Sequence, residues 1–108
     1  MKKSENQGKR LQDKTVVITG ASSGVGLAAA EAFAQEGANV VIVARGEAGI
    51  REAVVRCKEF NVTVIGIKAD MSVAEDVERV ATQAMGINGR IDVWVNNAGV
   101  MASGKFEE

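Results

Sequence analysis

Four short stretches carry the groups that could do chemistry in this 108-residue chain. The first is TGASSGVG, Thr19 to Gly26, with three glycines, two serines and no charge. Such a loop can cradle a phosphate on backbone N–H groups, present a nucleophilic serine, or merely turn the chain. The second is Ala44–Arg45, where a guanidinium could pair with an anion. The third is Asp70, a carboxylate after the third apolar run. The fourth is NNAG, Asn96 to Gly99, with two adjacent amides.

As a phosphate cradle, the first loop uses each glycine differently. Gly20 allows a tight turn, Gly24 lets backbone approach a pyrophosphate, and Gly26 lets a helix pack closely on a sheet. As a nucleophile elbow, GASSG satisfies G-x-S-x-G with Ser22 as nucleophile. That reading needs a base, and the chain has no histidine. A Walker A loop is excluded, because no Lys-Ser/Thr pair follows Gly26. The chain also has no tyrosine and a single cysteine, Cys57. A structural zinc site is therefore not expected. Cys57 shares a helical stripe with Ile50 and Val54, which makes it a core position rather than a reactive thiol.

These groups need elements to position them. Four apolar runs, TVVITG, NVVIVA, VTVIGIKA and IDVWVNNA, begin near Thr15, Asn39, Val62 and Ile91. They are continuous and rich in valine and isoleucine, as parallel strands buried on both faces are. The gaps between them each hold one helix. The first helix shows a stripe of Val25, Ala28, Ala29, Ala32 and Phe33, with Gly37 as its stop. The second carries Ile50, Val54 and Cys57. The third carries Val73, Val77, Val80, Ala81 and Ala84, with Ser72 and Glu75 as a capping box and Gly86 and Gly89 at its end. The order is βαβαβαβ, which predicts a doubly wound α/β sheet. Ligands of such sheets bind beyond the carboxyl ends of the strands, where all four stretches fall.

Composition agrees with one globular domain: 46% of residues are hydrophobic and 25% charged. A net charge of −1 gives no electrostatic case for nucleic acid or a membrane surface. No apolar run is long enough to span a bilayer. Residues 1–13 read as a flexible polar tail without a signal peptide's apolar core, with Leu11 able to dock. A cytoplasmic location is expected.

TGASSGVG resembles the T-G-x3-G-x-G cofactor loop of the short-chain dehydrogenase/reductase family, and NNAG resembles that family's motif after strand four. The resemblance runs from about Lys14 to Glu108. It implies that residues 14–108 are the N-terminal, incomplete part of a dinucleotide-binding Rossmann domain with strand order 3-2-1-4. It also implies a nicotinamide dinucleotide, a small carbonyl or alcohol substrate, and a homo-oligomeric full-length enzyme. On that resemblance Gly20, Ser22, Ser23, Gly24, Val25 and Gly26 line the adenosine and pyrophosphate. Asp70 meets the adenine, Met71 supplies backbone beside it, and Asn97, Ala98 and Gly99 lie along the ribose. Bland alternatives stand beside these roles. Asp70 could cap the turn before Ser72, and Asn96 and Asn97 could close strand-end hydrogen bonds.

Cofactor choice has a physical argument. NAD-selective sites put a carboxylate at the end of strand two, for the ribose 2′-hydroxyl. Here Ala44 and Arg45 stand there, which favours NADP over NAD, since a guanidinium pairs with a 2′-phosphate. The alternative is a solvated arginine near Glu47. The family's catalytic tyrosine and lysine have no counterpart in this chain, so the chain alone is expected to be inactive, as a truncated enzyme or as a non-catalytic nucleotide-binding module. A serine hydrolase using Ser22 is the third reading. In the family's sheet order, the fourth run becomes an edge strand that is apolar on both faces and leaves Trp94 short of cover.

Overall fold

The computed structural model describes residues 9–97. The elements alternate as β1 (Thr15–Thr19), α1 (Gly24–Gln35), β2 (Asn39–Ala44), α2 (Glu47–Lys58), β3 (Val64–Lys68), α3 (Ala74–Asn88) and β4 (Val93–Asn96). The strands form one parallel sheet in the order β3-β2-β1-β4. Parallel neighbours need a crossover, and each helix supplies one.

The two central strands are the most buried. Val16, Val17, Ile18 and Val40 to Val43 have no exposed surface. Burying a valine or isoleucine side chain stabilises by roughly 1.5–3 kcal/mol, so these two strands anchor the domain. Their side chains alternate between two cores. Val16, Ile18, Val40 and Ile42 pack with Ala30 and Ala34 of α1 and with Ala53 and Cys57 of α2. Val17, Val41 and Val43 pack with Val80 and Ala84 of α3. Helices thus cover both faces, as a doubly wound sheet requires. Burial pushes the Cys57 thiol up to about 11, with the nearby Glu31 charge adding to it, which keeps the sulfur protonated and inert. Among the described residues, no helix is long and apolar enough to cross a membrane.

Several local expectations need correction. The buried face of α1 is Gly26, Ala30 and Ala34, flanked by Leu27, Ala29 and Phe33, whereas Val25 is 77% exposed. The stripe read from the sequence was off by one position, because an alanine-rich helix has little hydrophobic contrast. Strands β3 and β4 begin two residues later than their apolar runs. Asn61, at φ +61°, turns the chain just before β3. Ahead of β4, Asp92 bonds Thr15 through both backbone and side chain.

The Ser72–Glu75 capping box does not form. Val73 occupies the N-cap of α3 with no side-chain cap bond, and the Ser72 hydroxyl turns to Asp70 instead. Gly86 lies inside α3, and only Gly89 ends it. Gly89 adopts φ +86° and donates its N–H to the Met85 carbonyl at 2.7 Å. Leu11 packs against the core beside α1, its N–H on the Glu36 carbonyl at 2.9 Å.

Candidate functional site

All four strands point their carboxyl ends at one edge of the sheet, and a cleft of about 440 Å³ opens there. The end of β1 contributes Gly20 and Ser22, and β2 contributes Arg45. The end of β3 contributes Asp70, Met71 and Ser72, and β4 contributes Asn96. One cleft therefore collects one chemical group or more from every strand.

The glycine loop is shaped by backbone demands. Gly20, at φ +67°, leaves β1 with its N–H on the Val43 carbonyl at 2.8 Å. Gly24, at φ +59°, opens α1 from a left-handed conformation that disfavours side chains. Gly26 has a different reason. A Cβ there would overlap the Gly20 carbonyl oxygen and lie 2.6 Å from Asn97 Nδ2 and 2.9 Å from Ala21 Cα. The first turn of α1 thus presses directly on the loop. Ser23 precedes that turn without capping it, and the turn holds no acid. Its first N–H groups, at the positive end of the helix dipole, therefore have neither a side-chain cap nor an acid of that turn beside them.

Ser22 is half-buried against α2, where a Cβ on Gly49 would come within 2.7 Å of its own Cβ. With no histidine in the chain, nothing of the usual kind activates it as a nucleophile.

The acidic and amide groups are tied by hydrogen bonds. Asp70 Oδ1 accepts the Ser72 hydroxyl at 2.6 Å and the Ser72 N–H at 2.9 Å. Those bonds, with Arg45 adding attraction, hold the Asp70 carboxyl below its ordinary value. Asp76 Oδ2 accepts the Asp70 N–H at 2.8 Å, and Arg79 pairs with Asp76 at 3.2 Å. Both effects lower the Asp76 carboxyl too. Asn97 Nδ2 donates to the Gly20 carbonyl at 3.1 Å, and Thr19 Oγ1 donates to Asn96 Oδ1 at 3.0 Å. The turn-capping role of Asp70 and the backbone-closing role of Asn97 are therefore present, whereas Asn96 meets the Thr19 side chain instead of backbone.

The structure brings Gly20, Ser22, Arg45, Asp70 and Met71 onto the cleft wall. Ser23, Gly24, Val25 and Gly26 stand behind or beside it at the start of α1, and Asn97 braces the loop from β4. Ala98 and Gly99 lie outside the described residues. Among the described residues Arg45 is exposed and makes no ion pair, as the alternative of a solvated arginine also has it. Sequence reasoning placed Asn96 at the strand end without giving it a cofactor contact, and it missed Ser72 as a cleft residue. It also missed Asp76, whose only signal was an acid in the first turn of α3.

The match to known proteins is extensive. The family model for short chain dehydrogenase matches residues 14–108. The uncharacterized oxidoreductase YxnA of Bacillus subtilis (strain 168) is 47% identical over 96 residues, which cover 89% of this chain and 27% of that protein. The 11-beta-hydroxysteroid dehydrogenase A of Sesamum indicum is 44% identical over 96 residues, covering 88% of this chain and 28% of that protein. The crystal structure of L-sorbose reductase from Gluconobacter frateurii, complexed with NADPH and L-sorbose, superposes with a TM-score of 0.80. Its identity is 43%, and 85% of this chain covers 35% of that one. The chain thus spans about a quarter to a third of the length of these relatives. The sheet order, the glycine loop and these matches together make the chain a member of the short chain dehydrogenase family.

Proposed function

We propose that this chain is the NADP(H)-binding part of an oxidoreductase that interconverts a small carbonyl compound and an alcohol. The observation that carries the reading is the convergence of four strand ends on one cleft, with α1 pressed against the loop at Gly26. A Cβ would fill the space where helix and loop meet, so the N–H groups of the α1 first turn sit close to where a pyrophosphate would lie. The similarity to a reductase solved with NADPH supports the same cofactor class.

The residues fit such a group. The loop from Gly20 to Gly26 and the start of α1 would hold the pyrophosphate. Asp70 keeps Oδ2 free of the described hydrogen bonds and ionised, so it can accept from the adenine amino group. No acid stands at the end of β2, and Arg45 there would hold a 2′-phosphate. When bound, the nicotinamide supplies or accepts a hydride. The chain's own residues bind and orient that group. None of them is a tyrosine or histidine, the residues most suited to hand over the accompanying proton, so the chain by itself turns over no substrate.

Titration calorimetry with NADPH and NADH tests this. The expected result is binding of both with NADPH at least tenfold tighter, about 1.4 kcal/mol. Equal dissociation constants would remove the NADP(H) preference, and binding of neither would remove the reading.

A further inference from the structure

Arg45 is not the sole cation at this end of the sheet. Ala44 and Lys68 are direct register partners on β2 and β3. Neighbouring strands run about 4.8 Å apart, so Lys68 starts beside the residue that precedes Arg45. Arg45 and Lys68 both line a cavity of about 350 Å³ adjoining the main cleft, together with Asp70 and Asp76.

The charges in this cavity are unequally engaged. Asp70 is held by the Ser72 hydroxyl and N–H. Asp76 is held by the Asp70 N–H and by the Arg79 guanidinium, whose other contact is the Lys68 carbonyl at 3.1 Å. Both carboxylates have their charge partly met from within. Neither Arg45 nor Lys68 lies within ion-pair distance of a carboxylate among the described residues. Both residues are exposed and line the cavity. Two cations without an ion pair among the described residues, Arg45 just after β2 and Lys68 on β3, suit a dianion, because a guanidinium binds in a fork and an ammonium adds a mobile point charge.

We propose that Lys68 is a second ligand of the cofactor's 2′-phosphate, approaching it from β3 while Arg45 approaches from β2. This rests on the NADP(H) reading above. It makes Lys68 a specificity-determining residue, because NADH offers no phosphate for it to meet.

The test is calorimetric titration of the protein and its Lys68→Gln and Lys68→Arg variants with NADPH and with NADH. Lys68 is exposed and belongs to neither core, so melting curves of the variants should match the parent. In Lys68→Gln the NADPH dissociation constant should rise about fivefold, as expected for one lost exposed phosphate contact, with NADH unchanged. Lys68→Arg should stay within about twofold of the parent, since it keeps the charge. An unchanged NADPH constant in Lys68→Gln, with the parent still preferring NADPH, overturns the role of Lys68 and leaves the cofactor reading standing. Equal weakening of NADPH and NADH also overturns it, since that pattern belongs to the shared part of the cofactor. A parent without preference for NADPH overturns both.

Discussion

Replacing Gly26 with alanine isolates the contact on which the cofactor cradle depends. The added Cβ would overlap the Gly20 carbonyl oxygen and come within 2.9 Å of Ala21 Cα. Both are backbone atoms, so no side chain can swing aside. The start of α1 must retreat by on the order of 1 Å to restore ordinary van der Waals contact. Overpacking of this kind costs roughly 1–3 kcal/mol. Alanine recovers up to about 1 kcal/mol through helix propensity. With that recovery in full, the net expectation is a loss of about 0–2 kcal/mol, and a fall in Tm of up to roughly 15 °C for a domain this size. The Asn97 amide would also be pushed off the Gly20 carbonyl, so the loop shifts and NADPH affinity should fall about tenfold or more.

Gly86→Ala is the matched control. Gly86 lies inside α3 with nothing within 4 Å of a Cβ. That change should stabilise by about 0.5–1 kcal/mol and leave cofactor binding alone. Thermal melts and NADPH titrations of both variants decide the matter. If Gly26→Ala melts as high as Gly86→Ala and binds NADPH as the parent does, the close approach of α1 to the loop is not what builds the cradle.

Other substitutions probe the remaining parts of the site. Arg45→Asp should invert cofactor preference, weakening NADPH by about a hundredfold while holding or improving NADH, because a carboxylate repels a 2′-phosphate and accepts from a ribose hydroxyl; titration with both cofactors reads this out. Asn97→Ala should cost about 1–2 kcal/mol in denaturant unfolding, since it removes the donor to the part-buried Gly20 carbonyl. Stability should also depend on pH in the acid range. The folded state lowers the Asp70, Asp76 and Asp92 carboxyls below 3.8, chiefly through the bonds from Ser72, Asp70 N–H and Thr15 N–H. Such groups stabilise fully above their unfolded value, and the contribution disappears as pH falls through the lower folded values. Tm should thus hold steady above about pH 5 and drop below about pH 4; a flat Tm to pH 3 would show these bonds to be without consequence.

The α/β class and the alternation of strands and helices were legible because their signals are coarse and repeated. TVVITG and NVVIVA are apolar throughout, and such runs are buried on both faces whatever their neighbours do. The resemblance supplied the order 3-2-1-4, and the sheet has it. Finer readings failed where contrast was low or where a side chain had competing partners. In α1 the choice of face depended on alanines that differ little in hydrophobicity, and Gly26, Ala30 and Ala34 were buried because small residues let the helix approach the sheet. At the entry to α3, the Ser72 hydroxyl donates to the Asp70 carboxylate rather than accepting from the Glu75 N–H, as a capping box would have it. The edge position of the fourth run was legible too. Trp94 is half-buried, on a strand paired only with β1 among the described residues.

By itself the sequence determined that strands and helices alternate, that glycines stand where β1 turns into α1, and that an arginine rather than an acid follows β2. These are local properties of composition and spacing. Tertiary structure decided which groups remain available. Gly26 proved to be a close-contact position only when the Gly20 carbonyl and Asn97, far apart from each other in the chain, met it. Asp70 was drawn to Ser72 and Asp76 to Asp70 and Arg79, whereas Arg45 and Lys68 were left unpaired beside one cavity. Charge and hydrogen-bond partners are settled by proximity in space, and the register of β2 against β3 set Lys68 beside Ala44, the residue before Arg45.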